Sequence, residues 1–473
     1  MLRPPAALPP RPGRTALGVL ALAMALQGCG TATARLSGTE AQALPLPPGI
    51  RVAFNHRGEV RYRSPVSGHW RQGDDLEALL LESIAAARQE ILVAVQELSL
   101  SRVAEALVAA HRRGVKVAVV LENGYSTPWS RVHPADLSPH QRLRVEQLRA
   151  LGQGDAVDLL QRGRVPLIDD TADGSRGSGL MHHKFLVADG RVVVTGSANF
   201  SPSCIHGDAD DPRSRGNVNH LLHFESVALA GLFRQEFARL WGDGPGGAPD
   251  SRFGVAKGSG GPQRVRIGAA TVEVLFAPHR RSDPRHGLAW LERQLAGSRR
   301  RLDLSLFVFS AQNLADALRP LHARGVKIRL LADPGFANRS FSEVLDLLGA
   351  SMADHRCLLE AENRPWSRPL EGVGTPQLAG GDKLHHKFAV LDRGQVISGS
   401  FNWSPSAAHG NDETLIRIDS PLLARHFEAE MDRMWRGAEL GVTARLRRKL
   451  LRRGELCGSG RQRPGPKARA TIR

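Results

Sequence analysis

The sequence predicts an α/β fold built twice, and three observations carry that prediction. The chain has 473 residues, too many for one ordinary core and enough for two domains of roughly 200 residues each. Each half alternates apolar runs of strand length with helical segments, which argues for an α/β sandwich. Finally, MHHKFLVADGRVVVTGSANFSPS, from Met181 to Ser203, returns 203 residues later as LHHKFAVLDRGQVISGSFNWSPS, from Leu384 to Ser406, with 13 of 23 positions identical. A period of this length is far beyond that of a solenoid and describes two copies of one domain.

The elements follow in chain order. Arg3, Arg11 and Arg14 precede ALGVLALAMALQG, too short and wrongly flanked for an ordinary membrane span, so residues 1–29 read as a targeting signal ending at LQGC, Leu26 to Cys29. No later stretch is apolar for long enough to span a bilayer. The first domain is placed at 45–241. In it ILVAVQELS has strand length, and ALVAAHRRGVKVAVVLE (Ala106 to Glu122) gives a helical segment closed by Gly114, then a β-rich run. Residues 242–264, dense in Gly and Pro and without periodicity, read as a linker.

The second domain, 265–440, repeats the pattern at an offset of 211 with LDLSLFVFS and ALRPLHARGVKIRLLAD (Ala317 to Asp333), closed by Gly325. Pro320 is expected to kink that helix or delay its first turns. A basic tail, 441–473, completes the chain.

Composition narrows the class. A hydrophobic content of 41% is that of a globular protein rather than a disordered one. The net charge of +17 is concentrated, since Arg445 to Arg473 holds nine Arg and two Lys against one Glu. RLRRKLLRRG would form an amphipathic basic helix suited to lipid headgroups or to nucleic acid, or else a solvated tail. Besides Cys29 the cysteines are Cys204, Cys357 and Cys457. They allow one disulfide but no framework, and their spacing makes no zinc site.

The repeated stretch carries the chemistry. The residues of HHKF lie on a strand, where alternate side chains share a face, so His182 and Lys184 point together and His183 points away. His385, Lys387 and His386 do the same. The turns GSAN and GSFN can bring Asn199 and Asn402 alongside. If the halves pack about a pseudo-twofold axis, two imidazoles, two ammonium groups and two amides converge.

Both copies resemble the signature of the phospholipase D superfamily, H-x-K-x4-D-x6-G-S/T-x-N. The matching residues are His182, Lys184, Asp189, Gly196, Ser197 and Asn199, then His385, Lys387, Asp392, Gly399, Ser400 and Asn402. The resemblance covers most of residues 50 to 440. It implies two tandem phospholipase D-like α/β/α sandwich domains sharing one active site, functional as a monomer. It also implies a two-step phosphodiester exchange without metal or other cofactor. One histidine forms a covalent phosphohistidine while the other protonates the departing oxygen, then deprotonates a water or alcohol. Lys184, Lys387, Asn199 and Asn402 would bind the non-bridging oxygens, with Ser197 and Ser400 in support. Asp189 and Asp392, on the opposite strand face, are expected to be structural. LQGC resembles the lipobox of bacterial lipoproteins, which implies lipid attachment at Cys29 and an exported protein tethered to a cell-envelope membrane. A plain secretory signal is the alternative.

Members of this superfamily place an acidic residue downstream to hold each histidine. HGNDET supplies Asn411 and Glu413, whereas RGNVNH offers Asn217 and Asn219. Glu413 is therefore expected beside His385, making it the acid, and Asn219 beside His182, making it the nucleophile. Asp208, Asp210 or Asp211 is the alternative source of a carboxylate. That acidic insert reads as a solvated loop rather than a metal site. For substrate, the tether and basic tail favour phospholipid headgroup hydrolysis and an anionic membrane surface. An exported nuclease acting on nucleic acid, a phosphatidyltransferase resembling cardiolipin synthase, and a non-catalytic surface-binding protein are the alternatives.

Overall fold

The computed structural model describes residues 44–175 and 179–462, so the targeting signal, Cys29 and the end of the tail lie outside the described residues. Nearly every run of β-branched and aliphatic residues becomes a strand. The first half contributes β1 (Ile50–Phe54), β2 (Glu90–Val95), β3 (Lys116–Leu121), β4 (Leu167–Asp169), β5 (Lys184–Ala188), β6 (Val192–Gly196) and β7 (His220–Glu225). They form a seven-stranded sheet in the order β1-β7-β6-β5-β2-β3-β4. The second half contributes β8 (Gln263–Ile267), β9 (Ala270–Ala277), β10 (Arg301–Leu306), β11 (Lys327–Ala332), β12 (Val373–Thr375), β13 (Lys387–Leu391), β14 (Gln395–Gly399), β15 (Glu413–Asp419) and β16 (Glu439–Leu440). Its order is β8-β9-β15-β14-β13-β10-β11-β12-β16. The shared centre is the same in both. A strand beginning at the motif lysine runs antiparallel to the strand between the first two long helices of its half, which pairs in parallel with the next (β5-β2-β3 and β13-β10-β11).

Helices cover both faces of these sheets. On the outer faces lie α1 (Leu76–Ala86) and α2 (Ser101–Arg112) in the first half and α5 (Gly287–Ala296) and α6 (Gln312–Ala323) in the second, with α3 (Pro139–Ala150) in a first-half insertion and α4 (Val227–Trp241) closing that half. Pro320 does not delay α6, contrary to expectation. The helix starts at Gln312 and has the same length as α2, with Pro320 inside its last turns. After it come the short α7 (Pro334–Ala337), α8 (Pro421–Trp435) and α9 (Ala444–Cys457). One apolar cluster draws on both halves, joining Phe185, Phe224, Phe233 and Phe237 to Phe276, Phe388, Ile416 and Phe427, so α4 and α8 are packed between the two sheets. Because β5 and β13 are buried along their whole length, their sequences read as continuous apolar runs after the lysine.

Two expectations for the connecting segments change. The stretch read as a linker, 242–264, is no free tether: Ser251, Phe253 and Lys257 are buried, and residues Gly254–Lys257 form a turn of 3-10 helix. The basic tail is not simply solvated either. Cys457, at the end of α9, is disulfide-bonded to Cys357, and Leu446 is buried against the second-half core. Cys204 is a buried free thiol.

Candidate active site

The two halves meet through backbone before they meet through side chains. His182 N donates to Asp412 O at 2.9 Å and Asp412 N to Leu180 O at 2.9 Å. On the pseudo-equivalent side, His385 N donates to Val218 O at 3.1 Å and Val218 N to Lys383 O at 2.7 Å. Each motif histidine is thereby stitched beside the segment that follows the other motif. Within each half, the motif glycine lets the following segment pass close to its own motif strand. A Cβ on Gly196 would lie 2.3 Å from the carbonyl oxygen of His220, and one on Gly399 would lie 2.1 Å from that of Thr414, so neither position accepts a side chain.

This stitching overturns the expected partners. His182 Nδ1 bonds Glu413 Oε2 at 2.8 Å, and His385 Nδ1 bonds Asn219 Oδ1 at 2.9 Å. Each histidine is held from the opposite half. The carboxylate stands beside His182 and the amide beside His385, and Asp208, Asp210 and Asp211 hold neither ring. Hydrogen bonding fixes both tautomers. Glu413 also accepts from Ser400 Oγ at 2.6 Å and from Asn411 Nδ2 at 3.2 Å. Asn219 donates through Nδ2 to the carbonyls of Cys204 and Asn217, so its oxygen must accept, from Ser197 Oγ at 2.8 Å and from His385. Both neutral rings therefore carry the proton on Nδ1 and keep the Nε2 lone pair. The two serines act through the residue that holds the opposite histidine.

The lysines lie beside them. Lys184 Nζ donates to His182 O at 2.9 Å and Lys387 Nζ to His385 O at 2.7 Å, leaving the remaining N–H donors for an anion. Burial lowers the pKa of Lys184 to about 8 and that of Lys387 well below the ordinary lysine value, the second helped by the charge of Lys184. Burial also brings His182 to about 4, with Glu413 pulling upward and both lysines downward. His385 falls well below 6.5 through burial and then through Lys387, Lys184 and His182. The crossed hydrogen bonds to Glu413 and Asn219, with each lysine bonded to the carbonyl of its own motif histidine, gather the four groups at the junction of the two halves. The carboxamide oxygens of Asn199 and Asn402 are buried without a partner, so both amides retain hydrogen-bonding capacity.

Asp189 and Asp392 stand apart from the site. Asp189 accepts from the backbone N–H groups of Arg88, Gln89 and Glu90, and Asp392 from those of Arg299, Arg300 and Arg301. Each pins the start of the strand beside its own motif.

Several neighbours escaped the sequence reading. Gln96 Oε1 accepts from Asn199 Nδ2 at 3.3 Å. In the other half Phe307 packs on His385 with ring centroids 4.6 Å apart, and Phe336 packs on Phe307 at 4.7 Å. The second histidine of each HHK anchors a buried layer behind the site. His183 Nε2 bonds Glu236 Oε1 at 3.1 Å, and Lys257 bonds both Glu236 and Asp412. His386 Nε2 bonds Glu430 Oε1 at 3.0 Å. The doubled histidine was the available signal for this layer. Lys257 gave none, because it lies in the Gly- and Pro-rich stretch.

Against the cost of burial, Lys257 and His183 hold Glu236 down at about 2. Lys257→Met would leave two buried carboxylates short of their cation, and stability is expected to fall by about 3–5 kcal/mol, measured by urea unfolding at pH 7. A loss below about 1 kcal/mol would show that water already reaches the pair.

A cavity of about 340 Å³ opens beside Glu97 and Asn217, and none of the motif histidines, lysines or asparagines lines it. Its wall includes Leu148, Leu151 and Pro202, and the carboxylates lining it (Glu97, Glu146, Asp208, Asp210 and Asp382) outnumber its one cation, Arg144.

Residues 80–241 and 291–435 each match the family described as "Cardiolipin synthase, PLD-like domain". The mitochondrial cardiolipin hydrolase of Xenopus laevis is 32% identical over 142 residues, 30% of this chain and 58% of that protein. The human enzyme of that name is 30% identical over 148 residues, 31% of this chain and 50% of that protein. The chain thus spans a little over half the length of the curated relatives it matches. The crystal structure of phosphatidylserine synthase from Haemophilus influenzae Rd KW20 superposes with a TM-score of 0.50 at 12% identity, covering 83% of this chain and 87% of that one, a likeness of fold.

Proposed function

We propose, for a chain that belongs to the family of cardiolipin synthase-type PLD-like domains, that it is a phosphodiesterase acting on phospholipids through a covalent phosphohistidine. The observation that carries this reading is the crossed pairing of His182 with Glu413 and His385 with Asn219, which leaves two Nε2 atoms beside two buried lysines. In the first step His182 Nε2 attacks phosphorus. The bond from phosphorus to the leaving oxygen breaks, and His385, as imidazolium, gives that oxygen its Nε2 proton. In the second step neutral His385 takes a proton from water, whose oxygen attacks phosphorus and breaks the P–N bond. Lys184 and Lys387 hold the non-bridging oxygens, and the substrate's negative charge offsets the two cations that, after burial, most favour neutral His385.

Roles follow from the crossed partners. The nucleophile becomes a cationic phosphoimidazole, which Glu413 stabilises beside His182 in the way a buried carboxylate stabilises an imidazolium. An amide stabilises a cation less, so His385 is the stronger acid and delivers its proton readily. His182 thus remains the proposed nucleophile, for the opposite reason to the one the sequence suggested.

The family match and the relatives named cardiolipin hydrolases favour lipid over nucleic acid as the substrate. To test this, full-length protein in mixed micelles is given phosphatidylcholine, phosphatidylglycerol or cardiolipin, and separately single-stranded DNA and RNA. Headgroup release is expected. Shortened strands without lipid turnover would transfer the activity to nucleic acid, and a new diester formed with added glycerol would make the enzyme a transferase.

A further inference from the structure

We infer that α9, together with the loop after α7, docks the protein on an anionic phospholipid bilayer beside the active-site entrance, an inference that rests on the lipid reading above. Along α9 a single stripe faces the body. Leu446 is buried, Leu450 and Cys457 are half-buried, and the disulfide to Cys357 fixes the far end. The rest of the helix is turned outward, with Arg445, Arg447, Arg448, Lys449 and Arg452 exposed and Glu455 as the helix's one acidic residue. Among these cations stand Leu451 and Leu456, both more than 60% exposed. Cations interleaved with exposed leucines suit an interface in which charge meets headgroups and apolar side chains enter the acyl boundary. Nucleic acid would use the cations but would find no role for the leucines.

The position links this face to the chemistry. Lys449 Nζ donates to Asn338 O at 2.5 Å, directly after α7. Burial lowers the pKa of Lys449, and Arg339, Arg453 and Arg445 crowd it further, so the positive field extends from α9 onto the loop. That loop exposes Phe341. Within α7, Phe336 packs on Phe307, which packs on His385. A bilayer seated on α9 would therefore meet the protein two aromatic rings away from a catalytic imidazole.

The test uses full-length protein and two variants, Arg447→Glu/Arg448→Glu/Arg452→Glu and Leu451→Asp, sedimented with phosphatidylcholine vesicles or with vesicles of phosphatidylcholine and phosphatidylglycerol. Any contribution of the chain before residue 44 is common to all three proteins. Wild type is expected to prefer the anionic vesicles, with binding that weakens as salt rises. The triple variant should lose roughly tenfold or more of that preference, and Leu451→Asp should lose binding to both kinds. Turnover of soluble bis(4-nitrophenyl) phosphate should stay within about twofold. Equal vesicle binding by the triple variant would overturn the inference. So would a parallel loss of soluble-ester turnover, which would make α9 a support of the site. If wild type itself fails on the soluble ester, the catalytic reading fails, and the vesicle result still decides docking.

Discussion

Glu413→Gln is expected to cut kcat by about 10²–10⁴ while leaving the fold intact, and His182→Ala to remove turnover altogether. The expectation comes from the 2.8 Å bond between His182 Nδ1 and Glu413 Oε2, both groups buried, with Ser400 completing the carboxylate's coordination. Glutamine keeps the shape but loses the charge that stabilises the cationic phosphoimidazole. The pH profile separates this role from a structural one. Burial sets His182 at about 4 and Glu413 pulls upward, so removing the negative charge lowers that pKa further. If neutral His182 is the nucleophile, the acid limb of kcat/KM moves to lower pH even as the rate falls.

Leaving-group dependence separates the two histidines. His385→Ala should retain a burst of nitrophenolate release from bis(4-nitrophenyl) phosphate, whose leaving group needs no proton, with hydrolysis of the phosphoenzyme slowed for lack of its base, whereas His182→Ala should show no burst. Phosphopeptide mapping at alkaline pH should place the trapped phosphorus on His182. Phosphorus on His385 in the intact protein, with unchanged activity in Glu413→Gln, would exchange the roles.

What the sequence could and could not disclose follows from the range of each interaction. The histidines, lysines and asparagines were legible because strand alternation and a short turn fix their relative placement within twenty residues. Asp189 and Asp392 were legible as structural for the same reason. The partners of the histidines were not. Nearness in sequence put Glu413 with His385, while the bonds at Asp412 O and Val218 O carry each segment across to the other half. Lys257 was illegible because composition classified its surroundings as linker, and composition carries no information about a buried ion pair 155 residues away from Asp412. The disulfide spans a separation of 100 residues, which periodicity does not reach.

The same buried histidines make the protein acid-labile, with cooperative unfolding expected between about pH 6 and 4.5. Among the buried imidazoles are His56, His182, His220, His385 and His386, and burial is the first cause lowering the pKa of each of these, to about 3 for His56 and about 4 for His182. A depressed pKa stabilises the fold above the unfolded value near 6.5. That stability is lost as pH falls, because the unfolded chain takes up protons that the native state refuses. Each such group removes about 1.4 kcal/mol per pH unit once below 6.5.

Glu343 opposes them, as do other carboxyls that burial raises, among them Asp333, Asp346 and Asp382. Burial and the surrounding carboxylates push Glu343 up to about 9, so its native form is already protonated and gains stability as pH falls toward the unfolded value. The imidazoles dominate between pH 7 and pH 5.5, and urea unfolding should report a stability lower at pH 5.5 by more than about 1 kcal/mol, a sizeable part of a typical domain's stability. Below about pH 4.5 the loss steepens, because Glu236, held at about 2 by Lys257 and His183 against its burial, adds its own proton demand on unfolding. Stability that changed by less than about 1 kcal/mol between pH 7 and 5.5 would mean that the histidine layer opens to water without unfolding. His182, which must be neutral to attack phosphorus, would then be protonated at that pH.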